Sequence, residues 1–330
     1  KNEDMKCLIV GAGGVGGSLA AFLALAGHEV VCIVRGRHKE ALLAQGLRFH
    51  SDIKGECVIP CRAVRGDEAA SSATGTPCLG ISSAEEYDGK ADLILVCVKG
   101  YSIGSVADCI VRSAAPHTVV LPILNVYGTG PRIARACPGV RVIDGCIYIV
   151  GFVNAPGEVT QMGKVLKLVF GARPSDGVST DELEAVRTVL SGAGIKAILS
   201  DDINRDTFAK WGFISAMACT GAYFDATMGA LQHPGPEREL FTALTRESTA
   251  LGHTLGIVFR EDPVEANLRI IDALAPETTA SLQKDLARGH DSEIQGQLFD
   301  LLEACEAHGV DAPAYRKVAR KFRSLLEDNL

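Results

Sequence analysis

From Cys7 to Gly27 the chain reads CLIVGAGGVGGSLAAFLALAG, without one charged side chain. A stretch of this length could cross a bilayer. With Lys1 and Lys6 ahead of it and Ala24-Leu25-Ala26 behind, it also imitates a signal peptide and its cleavage site. Glycines at 11, 13, 14, 16 and 17 oppose both readings, because each costs a helix about 0.8–1.0 kcal/mol relative to alanine. The pattern predicts three pieces instead: a buried strand over Lys6–Val10, a turn over Gly11–Gly16, and an apolar helix over Gly17–Ala26 closed by Gly27. A second strand, HEVVCIVR, follows at once and completes a βαβ unit.

Beyond it, LRFHSDIKGECVIPCRAV (47–64) alternates as an antiparallel excursion does, and the turn-rich SSATGTP (71–77) predicts a mobile loop. ADLILVCVK (91–99) and TVVLPILN (118–125) are continuous apolar runs, the pattern of parallel strands covered on both faces. Residues 141–173 read as further strands with a hairpin turn at NAPGEV. Ser179-Thr180-Asp181-Glu182 is a capping box for a helix that stops near Gly192–Gly194, and IKAILS returns as a strand. From Asp201 on, helical periodicity dominates, so the expected domains are 1–200 and 201–330. NRDTFAKWGFISAMACTGAYF is apolar almost all round, as a central buried helix is. Ser292-Glu293-Ile294-Gln295 predicts a second capping box, opening a helix whose apolar stripe is Ile294, Leu298, Leu301, Leu302 and Cys305.

Gly11, Gly13 and Gly16 make Gly-x-Gly-x-x-Gly between a strand and a helix, the setting in which this motif binds a dinucleotide. Gly11 permits the tight turn, Gly13 lets backbone approach a pyrophosphate and Gly16 allows close helix packing. Gly14 and Val15 lie at the helix start, whose N–H groups face the anion. An NAD site usually has Asp or Glu after the second strand, where this chain has Val34-Arg35-Gly36-Arg37-His38-Lys39. Cations suit a 2′-phosphate. Arg35 is the best candidate to grip it; Arg37 and Lys39 add field or form a solvated basic loop.

A formal charge of −7 and the lack of any Lys/Arg block argue against a nucleic-acid binder. The eleven cysteines are single residues without C-x-x-C, and the eight histidines never reach metal spacing, so no metal site is expected. The cysteines read as buried thiols of a reducing compartment, and a cytoplasmic location is expected.

Lys99 and Asn125 end the two continuous strands, so sheet topology places both on the ligand edge; ordinary loop polarity is the alternative. Lys210 interrupts the apolar helix and needs a carboxylate or a substrate carbonyl, unless it snorkels from the helix end. For Glu293, taken alone, a helix-dipole preference is the simpler reading.

The ordered set GAGGVGG, VRG, ADLILVCVKGY, LPILN, TFAKW and SLQKDLARGHDSEI resembles ketopantoate reductase, the 2-dehydropantoate 2-reductase family, nearly end to end. The resemblance implies a Rossmann-type N-terminal domain followed by an all-α C-terminal domain of the 6-phosphogluconate dehydrogenase type. It also implies NADPH-dependent reduction of 2-dehydropantoate to pantoate, on the route to coenzyme A. Lys210 then matches the lysine that protonates the alkoxide, and Glu293 the acid of the S/T-E-I motif at the catalytic and cofactor site. Asn125 matches the asparagine between nicotinamide and substrate, Lys99 the lysine of V-K-x-Y beside the cofactor, and Ser281 a substrate-binding serine. Thr278 stands where some members carry a substrate-facing asparagine. The expected partners are a small 2-oxo acid and, as a homodimer, a second copy of the chain.

The chain departs from the family at Ile214 and Ala218, where asparagines are frequent, and at Val126, where Asn-Gly is usual. Two alternatives therefore stand beside 2-dehydropantoate reduction: a reductase of another branched or more apolar 2-oxo acid, and an NADPH-binding sensor without turnover.

Overall fold

The computed structural model describes residues 5–67, 76–287, 289 and 292–323. The chain forms two compact units, one running up to Leu124 and over Gly128–Ile203, the other Asn125–Tyr127 with the chain from Asn204 on. Residues 71–75 of the turn-rich stretch lie outside the described residues.

The first unit opens with β1 (Lys6–Val10), α1 (Gly14–Leu25) and β2 (Glu29–Ile33), the two strands parallel. There follow α2 (Gly36–Gln45), β3 (Leu47–Ser51), β4 (Gly55–Ile59), β5 (Cys61–Ala63) and β6 (Leu79–Ser82). Then come β7 (Ala91–Val96), α3 (Ile103–Ser113), β8 (Ala114–Pro122) and α4 (Thr129–Ala136). The unit closes with β9 (Asp144–Ala155), β10 (Glu158–Gly171), α5 (Thr180–Gly192) and β11 (Lys196–Leu199). A six-stranded parallel sheet runs β5-β6-β2-β1-β7-β8, a Rossmann-like doubly wound arrangement. β1 leads to β2 on one side and neighbours β7 on the other, so the order reverses between β1 and β7, where open α/β sheets bind ligands. β10 anchors a second, mixed sheet, pairing parallel with β3 and β11 and antiparallel with β9.

Two local expectations shift. The helix begins at Gly14, three residues earlier than predicted from propensity. Its glycines are packing sites: a Cβ at Gly14 would strike the backbone of Gly151, one at Gly16 the carbonyl of Gly11, and one at Gly17 the Val159 side chain. Close packing overrides the cost of glycine in a helix. The excursion predicted over 47–64 also ends early. β3 and β4 pair antiparallel, but Pro60 has no N–H for the ladder, and Cys61–Ala63 joins the parallel sheet beside β6.

Elsewhere the pattern holds. Ser179 Oγ accepts from Glu182 N and Glu182 Oε2 from Ser179 N, closing the capping box of α5. The β9–β10 hairpin turns at Pro156 and Gly157, with Gly157 at φ +78°. All eleven cysteines are free thiols.

Among the described residues, all regular secondary structure of the second unit is helical. It comprises α6 (Ile203–Phe224), α7 (Met228–Leu231), α8 (Pro236–Thr254), α9 (Pro263–Ala273) and α10 (Ser281–Ala287). A π-helical turn, Gln295–Phe299, leads into α11 (Asp300–Ala307), and α12 (Pro313–Phe322) follows. Its core packs α6 residues Phe208, Trp211, Phe213 and Cys219 against Phe241, Leu298, Leu301 and Tyr315. Ile294, Leu298, Leu301, Leu302 and Cys305 are all buried, as the stripe predicts. The second capping box does not form: Gln295 Nε2 donates forward to Asp300 Oδ1 at 2.7 Å, and the turn it opens is π rather than α. Among the described residues no helix is long and apolar enough to cross a membrane.

Candidate active site

In the first unit the glycine turn sits where β1 and β7 meet. Gly11 has φ +97°, and a Cβ there would lie 2.8 Å from Val98 Cγ1. Gly11 N donates to Ile33 O at 3.0 Å, tying the turn to the end of β2. Gly13 is the N-cap of α1 with no side-chain cap, and a Cβ on it would meet nothing within 4 Å. The turn is therefore open at Gly13 and tightly packed at Gly14 and Gly16. An uncapped helix start with open backbone beside it fits the pyrophosphate of a dinucleotide.

Arg35 caps the start of α2 just beyond β2, and both Arg35 and Arg37 are exposed. Neither side chain has an ion-pair or hydrogen-bond partner among the described residues, whereas Lys39 Nζ lies 2.6 Å from Glu86 Oε2. The basic segment thus leaves its two guanidiniums available and occupies its lysine. Lys99 is half-buried and precedes a 3-10 turn, Gly100–Ser102, after β7.

In the second unit Lys210 lies on α6 and is 6% exposed. Its ammonium donates to Asn125 Oδ1 at 2.7 Å, joining residues 85 apart in the chain. The segment that delivers Asn125 is held on both sides. Tyr127 stacks on Trp211 at 5.7 Å and meets Phe208 edge-on at 5.1 Å. Trp211 Nε1 donates to Gly296 O at 2.9 Å, and Ser215 Oγ donates to Gln297 O. Asn125–Tyr127, α6 and the π turn therefore meet around Lys210 and Trp211. Glu293, three residues before Gly296, is also buried. Hydrogen bonding to the amide oxygen uses one of the three ammonium protons and fixes the direction of the side chain, the geometry a proton donor requires.

Two family models cover most of the chain. One described as "Ketopantoate reductase PanE/ApbA" matches residues 7–175, and "Ketopantoate reductase PanE/ApbA C terminal" matches 202–325. The chain belongs to the ketopantoate reductase family. A 2-dehydropantoate 2-reductase of Mesorhizobium japonicum is 31% identical over 88% of this chain and 88% of its own length. The structure of a PanE/ApbA family ketopantoate reductase from Ralstonia eutropha JMP134 has a TM-score of 0.82 at 25% identity, covering 98% of this chain and 99% of that one. A D-mandelate dehydrogenase bound to NADH and anilino(oxo)acetate shares the fold, with a TM-score of 0.81 at 20% identity over 97% of this chain and 98% of that one. Members of the ketopantoate reductase family are oxidoreductases that bind NAD(P)H, and this chain is an oxidoreductase of that family with a small-molecule substrate.

Set against the family's pattern, the remaining candidates spread over the second unit. Ser281 is exposed at the first position of α10, and Thr278 is half-buried, its carbonyl accepting from Met228 N at 2.9 Å. Ile214 is half-buried and Ala218 fully buried, both packed into the apolar core. Val126, where ketopantoate reductases usually have glycine, seats its side chain against Gly296: a Cβ on Gly296 would lie 2.6 Å from Val126 Cγ2. Sequence reasoning did not single out Tyr127, Trp211 or Gly296. The one signal for them was a glycine inside a helical pattern, which marks close packing.

Proposed function

We propose that this protein is an NADPH-dependent 2-dehydropantoate reductase in which Lys210 is the general acid. The observation that carries the reading is the hydrogen bond from the buried Lys210 to Asn125, which aims an ammonium inside the helical unit. Gly11, Gly13, Gly14, Val15 and Gly16 would hold the pyrophosphate, Arg35 the 2′-phosphate, and Lys99, Asn125 and Glu293 the rest of the cofactor. When bound, the nicotinamide supplies a hydride to the C2 carbonyl. Lys210 stabilises the negative charge that grows on the carbonyl oxygen and delivers a proton to it. Asn125 orients Lys210, Glu293 favours its charged form, and Ser281 and Thr278 hydrogen-bond the substrate.

A second reading, a reductase of a more apolar 2-oxo acid, is favoured by the apolar packing of Ile214 and Ala218. The related D-mandelate dehydrogenase, bound to anilino(oxo)acetate, illustrates such a ligand on this fold. A sensor without turnover is disfavoured by the joint presence of Lys210, Ser281 and Glu293. Steady-state NADPH oxidation across a panel of 2-oxo acids separates the three. The leading reading expects 2-dehydropantoate to give the highest kcat/KM; preference for 2-oxoisovalerate would move the assignment to the second reading, and no turnover to the third.

Arg35→Ala is expected to raise the Kd for NADPH by about 10- to 100-fold, the scale of a lost charge-assisted hydrogen bond, and to leave that for NADH nearly unchanged. Equal losses measured by fluorescence titration would remove Arg35 from the 2′-phosphate site. Ser281→Ala is expected to cut kcat/KM about tenfold more for 2-dehydropantoate than for 2-oxoisovalerate, which lacks the C4 hydroxyl. Equal loss would assign Ser281 to the shared carboxylate.

A further inference from the structure

The β9–β10 hairpin touches the dinucleotide end of the first unit at two places. One is the backbone contact of Gly151 with Gly14 at the start of α1. The other is its tip. Gly157 N donates to His38 Nδ1 at 3.0 Å, Gln45 Nε2 donates to Pro156 O at 3.4 Å, and a Cβ on Gly157 would lie 3.1 Å from Ala41 Cβ. His38, Ala41 and Gln45 lie on one face of α2, and the hairpin tip is seated on that face. Gly157 O also accepts from Arg48 N at 2.9 Å, so both backbone groups of the tip residue are used.

His38 reaches further than the hairpin. Its Nε2 is sealed from solvent, with no hydrogen bond of normal geometry among the described residues. The backbone carbonyl of Ala12, between Gly11 and Gly13, favours the charged ring, but burial dominates and pushes the pKa below the ordinary value. An Nδ1 that accepts from an amide must carry its lone pair there, so the neutral ring has its proton on Nε2. His38 is flanked in sequence by Arg37 and stands three residues after Arg35.

We propose that His38 is a positioning residue for the dinucleotide, tying the hairpin tip to the first turn of α2 and holding Arg35, Arg37 and the glycine turn in one fixed relation. This inference rests on the NADPH reading above and adds a residue that touches no reacting atom. A ring accepting from Gly157 while lying beside Ala12 couples the 2′-phosphate end to the pyrophosphate end, so loss of the acceptor loosens both. The cost falls on cofactor affinity and spares the KM for the 2-oxo acid.

The test uses the full chain and three variants. His38→Ala removes the acceptor; His38→Gln keeps bulk but carries its amide one bond further out, and serves if the alanine variant folds poorly. His38→Asn retains an acceptor, Oδ1, close to the place of Nδ1. Fluorescence titration is expected to give a Kd for NADPH raised about tenfold in the alanine and glutamine variants and within about threefold of wild type in the asparagine variant. In the cofactor-free protein, hydrogen exchange at the Gly157 amide should be faster in the first two and protected in the third. Affinity unchanged in His38→Ala and His38→Gln, or no rescue by asparagine, would overturn the inference while leaving the cofactor reading intact. If wild type binds neither NADPH nor NADH, the cofactor reading falls and takes this inference with it.

Discussion

Lys210→Ala is expected to lower kcat by about 10²- to 10⁴-fold while the Kd for NADPH stays within about twofold of wild type. The asymmetry follows from where the ammonium acts. Its interaction with substrate strengthens as charge develops on the carbonyl oxygen, so its removal costs the transition state more than the bound ground state. Truncation also strands Asn125 Oδ1, which now accepts from Nζ, at a cost of about 1–3 kcal/mol if that oxygen stays dry. Calorimetry on Lys210→Met, which keeps an apolar stem and removes only the ammonium end, gives this stability loss separately from the loss in kcat. A folded variant that retained most of its kcat would remove Lys210 from the mechanism.

The glycine turn offers a contrast of comparable size. Gly16→Ala places a methyl against the carbonyl of Gly11 and 3.0 Å from Cys97 Cβ, both on packed elements with no room to move. We expect it to cost more than about 4 kcal/mol of stability, in the range reserved for severe overpacking and backbone clash, and to yield little folded protein. Gly13→Ala places the same methyl in open space. It should melt within about 1 kcal/mol of wild type yet bind NADPH more than about tenfold less tightly, because that space is where pyrophosphate approaches backbone. Thermal melts and fluorescence titration on the pair check this. Normal NADPH affinity in Gly13→Ala would place the pyrophosphate elsewhere.

Elements defined by short-range pattern were legible from the chain: β1 and β7 from unbroken apolar runs, α5 from its capping box, the hairpin tip from Pro156-Gly157. Features set by distant contacts were not. The extra turn of α1 exists because Gly14, Gly16 and Gly17 meet Gly151, Gly11 and Val159, partners invisible to helix propensity. The 3.6-residue period that marked Leu298 and Leu301 as buried cannot register a π turn that shifts the residues ahead of them. At the candidate site, the chain indicated that a buried lysine needs a partner and that Asn125 closes an apolar run, although the strand itself stops at Pro122. That one answers the other across 85 residues is a property of the fold.

The π turn at Gln295–Phe299 makes the spacing of this segment part of its chemistry. Its hydrogen bonds close over five residues rather than four, so the stretch holds more chain than an α-helix of the same rise. Deleting one residue there would let the segment relax to ordinary winding with Glu293 kept in about the same direction relative to Leu301 and Cys305, whereas deleting one residue from the α-helical turn beyond it would swing Glu293 about 100° around the axis. Any redesign or loop graft in this region is therefore a matter of counting before it is a matter of composition: a shortened segment could keep every named side chain and still send its carboxylate in a different direction.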